Sequence, residues 1–169
     1  MLATITKALP EDAPTVASIL EEAAAWLIAR GERMWWPDEV SLDRVAPDVA
    51  AGLYFVARVD GEIQGAFRFQ LSDWSFWYDV PGDDSAFLHR FAVRRAFAGT
   101  GLSTAMVEWA AAHAAGLGLR YLRLDCDPRR ESLCRFYERH GFRRHSVIQA
   151  AAGFTVSRYQ RELPAAGPG

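Results

Sequence analysis

Cysteine is scarce: the 169 residues hold two, Cys126 and Cys134. Two cysteines do not make a disulfide framework, and their spacing matches no zinc site, so both read as small packing residues in a reducing setting. An excess of one charge is also missing. With 19 Lys and Arg against 21 Asp and Glu, the formal net charge is −2. That balance excludes broad, charge-driven attraction to nucleic acid or to an anionic membrane. No apolar run approaches the roughly 18 residues of a membrane span. The first residues lack the basic, apolar and small succession of a secretory signal, and the expected setting is cytoplasmic. No Gly-Lys-Ser/Thr occurs, which removes the Walker phosphate loop. No Gly-x-Gly-x-x-Gly follows the first strand, which removes a dinucleotide fold.

What is present suffices for a packed core: 50% of residues are apolar, 24% charged and 12% aromatic. The length fits one domain, expected over residues 1–163. The Pro/Gly/Ala tail 164–169 is expected to be disordered. Thr4–Thr6 suits a strand. Asp12 is placed to cap a helix carrying Val16, Ile19, Leu20, Ala23, Leu27 and Ile28 at helical spacing, with Gly31 ending it. A short helix is expected over Leu42–Val49. Leu53–Val59 and Ile63–Leu71 read as strands joined by the hairpin signal Asp60-Gly61. Phe87–Val93 reads as a buried strand and Leu102–Ala115 as a helix. Tyr121–Leu124 reads as a strand. A further helix is expected from Pro128 to Gly141, and two antiparallel strands lie around Gly153. The order implies an α+β fold with α/β/α layering. Its sheet is mixed and mostly antiparallel, with about seven strands, flanking helices and one parallel β-α-β crossover.

The stretch with the most chemical content is strand, glycine turn, helix. Phe91-Ala92-Val93 is followed by Ala98-Gly99-Thr100-Gly101 and then Leu102-Ser103-Thr104. A helix N-terminus offers unpaired backbone N–H groups and a partial positive charge, and glycines let a ligand approach the backbone. Together they make a cradle suited to phosphate or pyrophosphate.

Two runs, LHRFAVRRAFAGTGLSTAMVEWA and LRLDCDPRRESLCRFYERHGF, resemble the GNAT superfamily of N-acetyltransferases. The family pattern Gln/Arg-x-x-Gly-x-Gly/Ala falls on Ala98–Ser103. Gly101 matches, while Ala98 and Ser103 depart. Tyr137-Glu138-Arg139-His140-Gly141-Phe142 has the family's Tyr-Glu-x-x-Gly-Phe form. The resemblance implies the acyl-CoA N-acyltransferase fold, in which a parallel strand pair splays, and it implies acetyl-CoA as co-substrate. It places the pantetheine arm on the backbone of Phe91, Ala92 and Val93. The pyrophosphate would lie on the amides of Ala98, Gly99, Thr100, Gly101, Leu102, Ser103 and Thr104, with Arg94 and Arg95 nearby. Arg130 stands where the family often has a cofactor-contacting asparagine.

The resemblance also implies Tyr137 as the general acid for the leaving thiolate. His89, on the strand approaching the splay, is the candidate base. Simple alternation puts Phe87, His89, Phe91 and Val93 on one face. Asp125, at a strand end, is a further candidate contributor. Trp35 and Trp36 lie in one segment that borders the acceptor cavity in the family, and Trp74 and Trp77 in another. The second segment also carries Asp73, Asp79, Asp83 and Asp84. An aromatic, acidic mouth favours a cationic amine. The expected reaction is acetyl transfer to a primary amine of a small molecule or peptide, with no metal, nucleic acid or membrane involved. Two alternatives stand beside it: acetylation of protein lysines or N-termini, and a catalytically silent acyl-CoA-binding module. A homodimer through the C-terminal strands is a further expectation.

Overall fold

The computed structural model describes residues 2–32, 34–150 and 153–165. Among the described residues seven strands form one mixed sheet in the order β1-β2-β3-β4-β5-β7-β6, accompanied by four α-helices. Among the described residues no helix is long and apolar enough to cross a membrane. The chain groups into two compact units, Met1–Phe69 with Arg90–Met106 and Gln70–His89 with Val107–Gly169.

In the first unit, β1 (Ala3–Lys7) pairs antiparallel with β2 (Tyr54–Val59), from Ala3↔Val59 to Lys7↔Phe55. β2 turns into β3 (Glu62–Gln70) at Asp60 and Gly61, both left-handed with φ of 52° and 85°. That is the turn geometry whose twist matches a hairpin. α1 (Ala13–Ala29) and α2 (Leu42–Ala50) supply the apolar cover. Val16, Ile19 and Leu20 of α1, Val45 and Val49 of α2, and Tyr54, Val56, Ile63 and Ala66 of the strands form one buried cluster. α1 stops where expected, but Asp12 does not cap it. Its carboxylate accepts the Leu9 N–H at 2.9 Å and pairs with Arg58 of β2 at 2.9 Å. A local donor and a guanidinium together outcompete the helix end for the same oxygens.

Gly65 of β3 is packed face-on by its neighbours. A Cβ there would sit 2.5 Å from Met106 Sδ and 3.3 Å from Val93. Met106 is itself fully buried, so it has little room to yield. Gly65→Ala is expected to destabilise the chain by about 1–3 kcal/mol through overpacking, read from urea unfolding midpoints.

β4 (Ser85–Val93) opens two residues earlier than the sequence suggests, at Ser85. It also holds a non-glycine residue, Arg90, at φ 49°. A left-handed residue within a strand breaks the period of two. The expected single face Phe87, His89, Phe91, Val93 therefore does not run through β4.

In the second unit, β5 (Tyr121–Cys126) pairs parallel with the start of β4, from Ser85↔Tyr121 to Phe87↔Arg123. β5 itself runs on to Cys126. β5 also pairs antiparallel with β7 (Thr155–Glu162), and β7 with β6 (Arg143–Gln149). β7 is thus hydrogen-bonded on both sides, and β6 forms the sheet edge. α3 (Leu102–Gly116) leads toward β5, and α4 (Glu131–Arg139) follows it. α4 begins at Glu131, not Pro128. Asp127 Oδ1 accepts the Arg129 N–H at 2.9 Å and its carbonyl accepts the Arg130 N–H at 3.0 Å. This Asx turn delays the helix by three residues. Of the expected tail, Pro164 and Ala165 are exposed and irregular, and residues 166–169 lie outside the described ones.

α4 ends in a Schellman motif. Gly141, at φ 80°, donates its N–H to Glu138 O at 3.1 Å, and Phe142 donates to Tyr137 O at 3.1 Å. The Phe142 ring meets the Tyr137 ring edge-on, with centroids 5.6 Å apart. That contact joins the residues flanking the cap, as the motif commonly does. Glu138 accepts the Tyr159 hydroxyl of β7 at 3.0 Å. The four recognisable letters of Tyr-Glu-x-x-Gly-Phe thus all have packing or capping duties.

Candidate functional site

In the first unit, β4 hands the chain to α3 through a short 3-10 turn, Arg95–Phe97, and the segment Ala98–Gly101. Gly99 and Gly101 lie at φ 76° and 91°, and an added Cβ at either would meet nothing within 4 Å. Backbone conformation, not crowding, therefore demands glycine here, and the space before both residues is open. Ala98, Gly99, Thr100 and Gly101 are not buried, whereas Leu102 is fully buried and anchors the helix start. Thr100 braces the turn by donating its hydroxyl to Phe97 O at 2.7 Å. The helical ladder opens with Ala105 N–H on Gly101 O at 3.0 Å. The amides of Leu102 and Ser103 precede that bond. An anion could be met there by backbone donors and the positive end of α3. Thr104 follows on the same first turn and is exposed.

The two neighbouring arginines are engaged elsewhere. Arg94 donates to Ser18 Oγ at 3.0 Å and pairs with Glu22 at 3.3 Å. Arg95 lies over the Trp26 ring at 3.8 Å. Their charge is partly tied up on α1, so it does not simply replace the arginine missing at Ala98. Upstream, Phe91 tilts against Phe67 with centroids 6.0 Å apart. Ala92 is buried in the core cluster and Val93 is half-buried. Arg90 lies 5.4 Å from the Trp35 ring and 3.3 Å from Glu39, and Glu39 accepts the Trp36 N–H at 2.6 Å. Trp35 is buried and Trp36 is 47% exposed.

The second unit gathers the ionisable candidates. His89 Nε2 lies 3.0 Å from Asp73 Oδ2, and its Nδ1 lies 3.7 Å from Asp125 Oδ1. Burial pushes the Asp73 carboxyl up. The close approach and charge of His89, with the N–H groups of Phe76 and Ser75, outweigh it and bring the net shift down. Asp73 is accordingly ionised. Its partnership with His89 is not visible in the sequence, although Asp-Trp-Ser carries the Asx-turn signature that fixes it. One atom from each of the three side chains falls within 4.8 Å of the others, so this is also the group of metal-ligand type among the described residues.

Tyr137 is buried on α4. Burial pushes its phenol well above the ordinary range, while the nearby Arg130 charge acts in the opposite direction. Asp125 and the two cysteines share this neighbourhood electrostatically. Cys126 and Cys134 are free thiols with sulfurs 3.6 Å apart. Burial pushes the Cys126 thiol up, so it stays protonated. Arg130 stands at the N-cap of α4.

The aromatic segment divides. Trp74 and Tyr78 are 75% and 59% exposed, but Trp77 is only 2% exposed. Its ring is covered by Phe87, His145, Arg123 and Arg158, at 6.1, 5.3, 5.2 and 4.9 Å. Trp77 is therefore corrected from an acceptor contact to a core residue. The acidic residues of the segment are largely committed too. Asp79 pairs with the buried Arg158 at 2.6 Å, and Asp84 faces Arg123 at 3.7 Å.

Comparison with known proteins agrees with this architecture. The sequence profile of the acetyltransferase (GNAT) family matches residues 17–142. A Bacillus subtilis protein named as the uncharacterized N-acetyltransferase YesJ is 30% identical over 141 residues, covering 80% of this chain and 78% of that protein. Among solved structures, a GNAT-family acetyltransferase from Listeria monocytogenes superposes with a TM-score of 0.80 at 25% identity, covering 95% of both chains. The PaiA N-acetyltransferase of Thermoplasma acidophilum, solved in complex with coenzyme A, shares the fold with a TM-score of 0.74 at 16% identity, covering 96% of this chain and 99% of that one. Profile, relative and fold lead to one assignment: the chain belongs to the acetyltransferase (GNAT) family.

Proposed function

We propose that the chain moves the acetyl group of acetyl-CoA onto a primary amine of a small molecule or peptide by direct attack. The carrying observation is the open turn with left-handed Gly99 and Gly101 that precedes α3, in a chain of this family. It fits a diphosphate: backbone donors are presented and the space in front of the glycines is clear. Coenzyme A bound to the PaiA structure supports the same co-substrate here. In this reading the amides from Ala98 to Thr104 hold the pyrophosphate. The backbone of Phe91, Ala92 and Val93 holds the pantetheine arm, an added-strand mode of binding. Arg130 supplies a cofactor contact, and the Val93 amide donates to the thioester oxygen as negative charge develops there.

The amine arrives as an ammonium and must lose a proton before it can attack. His89 takes that proton. Nitrogen then bonds to the thioester carbon, and the carbon–sulfur bond breaks. Tyr137 gives its proton to the departing sulfur, and the second proton leaving nitrogen restores the phenol. Trp36 and Trp74 each carry an exposed ring suited to an acceptor contact. No step uses a metal. The proposed setting is cytoplasmic.

Thiol release from acetyl-CoA over a panel of amines tests the proposal. Turnover is expected with cationic primary amines. Turnover confined to acidic or phosphorylated acceptors would overturn the acceptor class, and CoA binding with no turnover across the panel would overturn the transfer reaction.

A further inference from the structure

We propose that Arg90 is a positioning residue for the acceptor: its side chain latches the segment 35–39 onto β4 and so sets where the exposed Trp36 ring stands relative to the strand that takes the pantetheine arm. This rests on the reading of Trp36 as an acceptor contact and of Phe91, Ala92 and Val93 as the cofactor strand.

Arg90 holds a conformation that works against its own residue type. It lies at φ 49° within β4, in the left-handed region that side chains avoid and glycine enters freely. Such strain persists where the surroundings hold the residue in place. Two contacts do so here, and both need the side chain. The guanidinium lies 5.4 Å from the centre of the Trp35 ring, within range of a cation–π attraction. Its Nη2 donates to Glu39 Oε1 at 3.3 Å. A glycine at this position would remove the strain and both contacts together.

Glu39 carries the connection onward. It lies in the short 3-10 turn Pro37–Val40, and its second oxygen, Oε2, accepts the Trp36 N–H at 2.6 Å. One carboxylate thus bridges the Arg90 guanidinium and the Trp36 backbone. Pro37 follows directly and keeps Trp36 extended, at φ −75° and ψ 147°. The neighbouring Trp35 is buried in the same cluster as Ala92. Arg90, Phe91 and Ala92 are consecutive, so the residue that holds segment 35–39 immediately precedes the backbone that would receive the pantetheine. All of these residues belong to the first unit. The side chains of Arg90 and Glu39 are 22% and 37% exposed. Water therefore weakens the pair, which suits it to orienting a surface ring and not to holding the fold together.

Arg90→Gly separates the two duties of this position. Glycine keeps the left-handed φ that the kink requires, so the strand beyond it keeps its path. The thermal midpoint should stay within a few degrees, and KM for acetyl-CoA should stay within about twofold. KM for a cationic primary amine should rise about tenfold, with a much smaller change in kcat. Glu39→Gln, which sets an NH2 against one of its two donor partners, should move the amine KM in the same direction. In a Trp36→Ala background the ring that the latch orients is gone, so R90G should add no more than about twofold. A merely structural arginine would lower the midpoint and leave the amine KM alone. If W36A raises the amine KM while R90G stays within about twofold of wild type, the role of Arg90 is overturned and Trp36 remains an acceptor contact. An unchanged amine KM in W36A overturns the reading of Trp36 and the proposal with it. An equal rise in KM for acetyl-CoA in R90G overturns the proposal in favour of a role in the cofactor strand. Fluorine spectra of the chain labelled with 5-fluorotryptophan read the latch without turnover. The Trp36 resonance, identified by its loss in W36A, should shift in R90G, and its staying in place overturns the proposal.

Discussion

Phenylalanine at position 137 should lower kcat for acetyl transfer about 100-fold while changing KM for acetyl-CoA little. The expectation follows from what Tyr137 touches. Its ring packs edge-on against Phe136 and Phe142, with centroids 5.3 and 5.6 Å away, and its carbonyl takes the Phe142 N–H. Phenylalanine keeps all of these and loses only the hydroxyl, so the thermal midpoint should stay within a few degrees. The pH behaviour follows from the direction of the shift. Burial raises the folded-state pKa above the ordinary tyrosine value. Deprotonation is thus resisted by the fold: the associated stabilisation is fully present below about pH 10, the value of an unfolded tyrosine, and is lost as pH rises toward the folded one. Across the neutral and mildly alkaline range the phenol stays protonated. In the proposed reaction a general acid there would keep its proton until the thiolate needs it, and the Arg130 charge, which opposes the rise in pKa, would favour the transient phenolate. Stopped assays of kcat for wild type and Y137F, from about pH 6 to about pH 9 and so below the ordinary phenol value, check this. An unchanged kcat removes Tyr137 from the chemistry.

Gly101→Val should weaken coenzyme A binding about 100-fold, read by calorimetry, with a smaller loss of stability than of affinity. At φ 91° a β-branched side chain incurs roughly 1–3 kcal/mol of backbone strain. The turn can relieve that strain only by moving the amides that follow it. Nothing lies within 4 Å of the added Cβ, so the β-carbon itself meets no clash inside the folded chain. The new side chain would instead occupy the clear space that a diphosphate needs. Wild-type affinity in G101V would show that the amides at the start of α3 are not the anion cradle.

Much of this is legible in the sequence. Apolar periodicity locates α1, α2 and α3, and Asp60-Gly61 locates the hairpin, because local backbone preference and burial agree at those places. The glycine turn is visible for the same reason: positive φ leaves a mark in the residue type. What stays hidden depends on partners distant along the chain. Asp12 reads as a helix cap until Arg58 of β2 is brought to it. Trp77 reads as a substrate contact until Arg123, Arg158, Phe87 and His145 close around it. Asp73 and His89 are 16 positions apart, the difference of their residue numbers, and no local rule joins them. Arg90 is invisible for another reason. An arginine in a left-handed conformation runs against its own preference, so sequence propensity argues for the regular strand that the fold does not adopt.

The Schellman end of α4 bears on how ancestry and activity are told apart. Tyr137, Glu138, Gly141 and Phe142 form a knot of backbone and ring contacts that terminates a helix and ties it to β7. Selection for a well-folded chain is enough to preserve those letters. A descendant that had abandoned transfer altogether would still display them, so the signature records lineage, and the hydroxyl at position 137 must be judged by turnover alone.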